Sequence, residues 1–365
     1  SGDLVQLAHL ALVLIGEGEV FYKGERRATV EVFETEGLKP INVEIREGLA
    51  LMNGTSVMTG IGVVNLTNAR KLLDWSLQFS AAINEMVRAY DDHLSEELNG
   101  TKLHKGQHEI ASRMRKHIEG SALVRKRDEH LYTERNETVF KEKVQEYYSL
   151  RCIPQILGPV LDTINETARI LENEINSAND NPIIDAKNKQ VYHGGNFHGD
   201  YISLEMDKLR LVVAKLSMLA ERQLNYLMNA KINELLPPFV NMGKLGFNFG
   251  LQGVQFTAVS TTAENQMLSN SMYVHSIPNN NDNQDIVSMG TNSALLTAKV
   301  IENAFEVLAI ELMAIVRGIE ILGYTDKVSP ATAKLYTEVK QIFPSFADDK
   351  ALYPYVQQIK EYLMN

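Results

Sequence analysis

Tyr148 and Arg151 stand three residues apart in YYSLRCIPQILGP (147–159), with Gln145 one turn ahead of Tyr148. On a helix this spacing puts phenol and guanidinium on one face. A guanidinium fork binds a carboxylate through two bonds and a neighbouring phenol can take or give a proton, so the pair suits chemistry on a carboxylic acid. An ordinary ion pair beside a core tyrosine is the plain alternative. LALMNGTSVMTG (49–60) sets Asn53 and Gly54 at a turn before a helix, an arrangement that simple capping also explains. NNNDNQD (279–285) reads as an Asx-rich turn leading into the next helix.

Metal and nucleophile chemistry find less support. His104 and His108 are four apart but crowded by Lys102 and Lys105, with no third ligand indicated, and read as a solvated helix face. His193 and His198 flank Gly194, Gly195 and Asn196, where a turn that needs glycine fits better than a metal loop. Cys152 lies in an apolar context without an obvious His partner, as a buried thiol does. The sequence holds no GxxxxGK[ST] phosphate loop, no GxGxxG placed between strand and helix, and no GxSxG elbow.

The elements that carry these residues are mostly helical. Residues 3–15 read as a helix with Asp3 as cap and Gln6 completing a capping box, ending at Gly16 and Gly18. Residues 19–46 alternate in short stretches around Gly24 and Gly37, which predicts a small β excursion on a helical body. The segment 57–98 has helical apolar spacing, and 101–142, polar and rich in His, reads as a solvated insertion. Residues 156–177, 201–236 and 286–322 read as long helices that must bury their stripes against one another. The expected fold is mainly α, an elongated bundle of long helices completed by other subunits. It is read as one domain over 1–365, and the polar connections between the rods, 176–185, 191–200, 237–250 and 270–285, are where site chemistry is expected.

Composition narrows the function. With 365 residues, 44% hydrophobic and 22% charged, the chain can bury a large core. Lys+Arg 36 against Asp+Glu 46 gives a net charge of -10, which lacks the positive field that nucleic acid or an anionic membrane requires. The apolar stretches 204–220 and 294–316 are interrupted by charges, so neither is expected to span a membrane. A single cysteine suits a reducing compartment, and the expected location is cytoplasmic.

Taken in order, SGDLVQLAHLAL, GEGEV, LMNGTS, YSLRCIPQ, the NDNP turn, GGNFHG and NQDIVSMG resemble the aromatic amino acid ammonia-lyase family, whose electrophile is 4-methylidene-imidazol-5-one (MIO). The resemblance covers essentially the whole chain and sits nearest the bacterial tyrosine ammonia-lyases. It implies a helical homotetramer with sites lined by more than one subunit. It also implies MIO closed from Ala-Ser-Gly, with Ser1 and Gly2 as its last two residues. Because the chain opens at Ser1, the expectation is that it continues a longer polypeptide whose preceding segment carries the Ala and a further catalytic tyrosine.

By the same resemblance, Asn53 hydrogen-bonds the MIO carbonyl oxygen, Arg151 anchors the substrate carboxylate, and Tyr148 is the second active-site tyrosine. Phe197 packs near MIO and the substrate ring, and Gln145, Asn196, Asn283 and Gln284 form the surrounding shell. The implied activity is elimination of ammonia from L-tyrosine to give trans-p-coumarate in aromatic amino acid catabolism. Histidine ammonia-lyases tend to carry Gln-Glu where this chain has Asn283 and Gln284, so neutral Gln284 favours a carbocyclic ring. The alternatives are a histidine or phenylalanine ammonia-lyase, or an MIO-dependent tyrosine aminomutase.

Overall fold

Residues 2–132, Val139 and 143–365 are described by a computed structural model. The chain begins with α1 (Leu4–Leu14), which ends at Gly16 and Gly18, both left-handed at φ +82° and +71°. Asp3 does not cap α1 with its side chain, contrary to expectation. The strands β1 (Glu19–Tyr22) and β2 (Glu25–Ala28) pair antiparallel, with Glu19 opposite Ala28. Their turn places Lys23 and Gly24 at φ 51° and 86°, as a two-residue hairpin requires.

The β excursion stops there. Residues 29–36, read as strand-like in sequence, form α2 (Thr29–Glu36), and 38–46 carry no strand. The stretch TVEVFETE alternates, yet Thr29, Val32 and Phe33 also fall at helical spacing, and Thr29 and Val32 are the buried pair. After α3 (Glu47–Met52) comes α4 (Ser56–Met86). Glu47–Met86 contains a window long and apolar enough, by length and composition, to cross a membrane. The inner face of α4, including Leu72, Leu77, Phe79 and Ile83, is fully buried in the protein's own core.

Short α5 (Glu96–Gly100) precedes α6 (Lys105–His117), which corrects the reading of 101–142 as a solvated insertion over 105–117, while 133–138 and 140–142 of that stretch lie outside the described residues. Ile110, Ala111 and Met114 of α6 are buried, a narrow apolar stripe on an otherwise charged helix, beside buried Gln107, which donates to Asn99 Oδ1 at 3.0 Å. Then follow α7 (Arg127–His130), α8 (Tyr148–Arg151) and α9 (Ile153–Ile175). A second hairpin, β3 (Ile183–Asp185) with β4 (Gln190–Tyr192), lies in what the sequence suggested was plain connection. The predicted helix 201–236 divides at Asn229, whose side chain caps α11, giving α10 (Asp200–Met228) and α11 (Ala230–Asn233). The remaining helices are α12 (Gln252–Leu268), α13 (Gly290–Leu322), α14 (Pro330–Ile342) and α15 (Tyr353–Met364).

The chain divides into two compact units. The first comprises Ser1–Asn65, Thr167–Lys208 and Ser271–Ala298, with Met58, Leu171, Ile202 and Met206 among its buried residues. The second comprises Leu66–Glu166, Leu209–Asn270 and Lys299–Asn365, and its core is built from α4, α9, α10 and α13 through residues such as Leu73, Leu157, Leu216, Phe305 and Leu312.

Candidate active site

In the first unit two loops close on Gly2. The Asp3 N–H donates to Gly54 O at 2.8 Å. The Asp3 carboxylate, fully buried, accepts from Met58 N at 2.9 Å and from the Thr291 hydroxyl. Asp3 therefore caps α4 in place of its own helix, a carboxylate at a positive helix end. A Cβ added at Gly2 would lie 2.8 Å from Gly54 O and 3.1 Å from Phe197 O. The LMNGTS turn and the GGNFHG loop thus wrap Gly2 with backbone and leave no space for a side chain.

The NDNP turn supports this wall. Asn53 Nδ2 donates to Asp180 Oδ1 at 2.7 Å, and Asn181 N donates to the same oxygen at 2.6 Å. Arg46 pairs with Asp180 Oδ2 at 3.3 Å and donates to Asn181 O. Asn196 Nδ2 donates to Ala178 O at 3.2 Å. A cleft of about 590 Å³ opens beside this network, lined by Asn53, Thr55, Glu174, Asn179 and Asp180 among others.

His198 lies 3.5 Å from both Asp200 Oδ2 and Ile286 O, which links the GGNFHG loop to the chain just after Asn283 and Gln284. The Asx-rich turn forms as the sequence suggests: Asn279 and Gln284 exchange backbone bonds of 3.1 and 3.3 Å, and Asn283 N donates to Asn280 O at 3.2 Å. Asn280, Asn281 and Asp282 are all left-handed, a conformation that Asn and Asp accept most readily after glycine.

In the second unit, α8 presents Tyr148 and Arg151 together. The guanidinium carbon sits 4.8 Å from the centre of the Tyr148 ring. Tyr148 is 70% exposed, which removes the core-tyrosine reading. Arg151 forms no ion pair among the described residues, and its buried Nε has no hydrogen-bond partner there, which removes the ordinary ion-pair reading as well. A cleft of about 970 Å³ contains Gln145 and Tyr148 together with Lys143, Glu146, Tyr147 and Tyr226.

Below Tyr148 the α8 backbone is held by buried amides: Gln223 Nε2 donates to Ser149 O at 2.8 Å and Asn84 Nδ2 to Leu150 O at 3.2 Å. Lys143 Nζ lies 2.6 Å from Glu146 Oε2 and 3.3 Å from the Tyr226 hydroxyl, over the rings of Tyr147 and Tyr226. Burial works against the Lys143 ammonium, but the bond to Glu146 and the Tyr226 contact outweigh it and raise its pKa. Burial raises the Tyr226 phenol, so it stays neutral. His93 is pushed down to about 4, by burial first and further by the charges of Arg127 and Arg151, against the opposing pull of Asp92.

The residues predicted from sequence therefore fall into two sets. Gly2, Asn53, Asn196, Phe197, Asn283 and Gln284 belong to the first unit, and Gln145, Tyr148 and Arg151 to the second. Ser1 lies outside the described residues. The second tier, Arg46, Asp180, Lys143 and Tyr226, was not singled out in sequence. Asp180 is 127 residues from Asn53, and the only local signal is its place in an Asn-Asp-Asn-Pro turn. Among the described residues no group of three or more His, Cys, Asp or Glu is placed to hold a metal, and His108 Nε2 instead meets the carbonyl of Lys102.

A mainly helical body whose loops enclose a glycine, and which elsewhere offers a free guanidinium beside a phenol, has the features of an enzyme acting on amino or carboxylic acids. Residues 1–341 match the family described as aromatic amino acid lyase. Tyrosine 2,3-aminomutase of Myxococcus sp. (strain Mx-B0) is 39% identical over 371 residues, spanning all of this chain and 70% of that protein. Histidine ammonia-lyase of Geobacillus sp. (strain WCH70) is 38% identical over 350 residues, covering 96% of this chain and 66% of that protein. The crystal structure of tyrosine aminomutase from Streptomyces globisporus superposes with a TM-score of 0.93 at 34% identity, over all of this chain and 70% of that one. The chain belongs to the aromatic amino acid lyase family.

Proposed function

We propose that the protein eliminates ammonia from L-tyrosine to give trans-p-coumarate, with MIO as its electrophile. The observation that carries the reading is the unspent guanidinium of Arg151 beside the exposed phenol of Tyr148, in a chain of this family. The enclosure around Gly2 suits an MIO closed from Ala-Ser-Gly, because the Gly54 and Phe197 backbone stands where any Cβ at that position would lie, so only glycine fits there. When bound, MIO supplies an electrophilic carbon that turns the substrate's amino group into a good leaving group.

The chain's own residues do the rest. Asn53 keeps one Nδ2 hydrogen beyond the one given to Asp180, enough to donate to an oxygen that gathers negative charge. Arg151 grips the substrate carboxylate with two bonds, and Tyr148 holds a proton at its hydroxyl beside the amino group. Phe197 packs against the aromatic ring, while Gln145, Asn196, Asn283 and Gln284 complete the surroundings. Neutral Gln284 gives an imidazole no charge partner and so favours a carbocyclic ring.

The similarity to tyrosine 2,3-aminomutases favours a second reading, in which the released ammonia returns at the β-carbon. Incubating the intact enzyme with tyrosine, phenylalanine and histidine and resolving the products by chromatography separates the two. Free p-coumarate and ammonia from tyrosine support the lyase, β-tyrosine supports the aminomutase, and a preference for histidine sinks both.

We further propose a cytoplasmic homotetramer in which Tyr148 and Arg151 of one copy serve the Gly2 enclosure of another. Helix α12 supports assembly: it buries polar Thr262 and Asn265 while exposing Phe256, Val259 and Met267, an apolar stripe that wants a partner. Mixing a variant inactive at Ser1 with one inactive at Tyr148 should restore part of the activity. A monomer by light scattering would remove the shared-site reading.

A further inference from the structure

We propose that Asp180 is a positioning residue for Asn53, fixing which way its side-chain amide faces. The inference rests on the role given to Asn53 above.

An asparagine amide has a donor end and an acceptor end that are nearly the same size, so packing alone does not choose between them. A carboxylate chooses, because it accepts only. Asp180 Oδ1 takes one Nδ2 hydrogen of Asn53 at 2.7 Å. Reversing the amide would bring Asn53 Oδ1 against that carboxylate, oxygen against oxygen, which is repulsive and removes one of its donors. With Nδ2 so held, the second Nδ2 hydrogen stays available, and among the described residues nothing donates to Oδ1. Both Asn53 and Asp180 line the same cleft.

Asp180 is itself held at both carboxylate oxygens. Asn181 N donates to Oδ1 at 2.6 Å, Arg46 pairs with Oδ2 at 3.3 Å, and Arg46 also grips Asn181 O. The carboxylate thus has defined partners on both oxygens and no spare freedom to turn away. Accepting from Nδ2 also polarises the amide, making Oδ1 a stronger acceptor. Asn53 is thereby set to offer a hydrogen to a developing oxyanion while accepting from an ammonium group, the two charges that ammonia elimination must manage together.

The test uses the intact enzyme and the variants Asp180→Asn, Asp180→Ala, Asn53→Ala and the Asp180→Ala/Asn53→Ala double. Asp180→Asn keeps an acceptor without its charge and should lower kcat about tenfold; Asp180→Ala should lower it about a hundredfold, with KM for tyrosine within about twofold. The double variant should be no slower than Asn53→Ala alone, since Asp180 acts through that amide. A crystal structure of Asp180→Ala, which needs no turnover, should show the Asn53 amide rotated or split between two orientations while the Gly54 backbone stays in place. The near-isosteric Asp180→Asn, solved alongside, keeps the comparison open if alanine loosens the turn. An Asn53 amide unmoved in Asp180→Ala, or kinetic losses that simply add, overturns the assignment. If the wild-type enzyme releases no ammonia from any aromatic amino acid, the proposed reaction falls and the crystal comparison alone decides Asp180.

Discussion

Around Gly2, in the first unit, backbone carbonyls form the walls and the polar side chains are tied into the frame, Asn53 to Asp180, Asp180 to Arg46 and Asp3 to Met58 N, with one amide hydrogen and Oδ1 of Asn53 left over. Around Arg151, in the second unit, the reverse holds. Tyr148 is exposed, Arg151 has no ion-pair partner among the described residues, and the buried amides of Gln223 and Asn84 hold the α8 backbone rather than its side chains. Side chains tied into a frame give fixed shape, which suits an enclosed electrophile. Unspent bonding gives affinity for something that arrives, which suits a substrate carboxylate.

The contrast predicts where the largest loss lies. Gly2→Ala puts a Cβ 2.8 Å from Gly54 O, with backbone on both sides unable to yield as a flexible side chain would. Product formation should fall on the order of a thousandfold, because a small displacement at a reacting centre is expensive. The thermal midpoint should change little, since Gly2 lies in a loop edge and not in the core. A variant with more than a tenth of the wild-type rate would show that the enclosure is looser than its contacts imply.

Acid should affect the second unit before the first. Neutral, buried His93 has its pKa lowered from 6.5 to about 4, so the unfolded chain takes up a proton at higher pH than the folded one does. The stability it allows is complete above about pH 6.5 and is lost as pH falls toward 4, by about 3 kcal/mol in total. Trp75, the single tryptophan, lies in the second unit and reports its unfolding. Urea midpoints followed at Trp75 should drop between pH 7 and 4.5, and His93→Gln should flatten that slope. An unchanged slope would assign the acid sensitivity to other groups.

Arg151→Lys tests the proposed carboxylate anchor directly. A lysine ammonium carries the charge without the planar fork, and kcat/KM for tyrosine should fall roughly ten- to a hundredfold. Because the wild-type guanidinium has no ion-pair partner among the described residues, the urea midpoint should hardly move. Near-wild-type kinetics with a lowered midpoint would make Arg151 structural after all.

The same contrast explains what could be read from sequence. That Tyr148 and Arg151 share a face was legible because helical period puts positions three apart together, their roles coming only from the family resemblance, and the β1–β2 turn was legible because Gly24 marks it. Helix α2 was misjudged because eight residues of alternating pattern also fit a helix, and burial of Thr29 and Val32 decided it. Helix α6 was misjudged because its buried stripe is narrow among charges. Asp180 was not found as a partner of Asn53, since no local pattern links residues 127 positions apart. The residues with spare bonding announce themselves by type and spacing, whereas the residues that hold them are fixed by tertiary contact.

The smallest effect is expected at Lys143, where the two styles of construction meet in one cluster. Its ammonium bonds Glu146 at 2.6 Å and lies over Tyr147 and Tyr226, so it ties down the strand of chain that enters α8. Glu146 is buried, and Lys143→Met would strand its carboxylate without a cation. Lys143 itself is 38% exposed at its side chain, however, so solvent screens much of the pair's value and water can replace the lost partner. Tyr148 and Arg151 would keep their Gln223 and Asn84 supports and lose only the anchor on the approach. The expected result is a roughly two- to fivefold rise in KM for tyrosine with kcat held, because a loosened approach weakens substrate binding before it disturbs the reacting groups. A fall in kcat of the size expected for Arg151→Lys would instead move Lys143 from the support of α8 into contact with the reacting substrate.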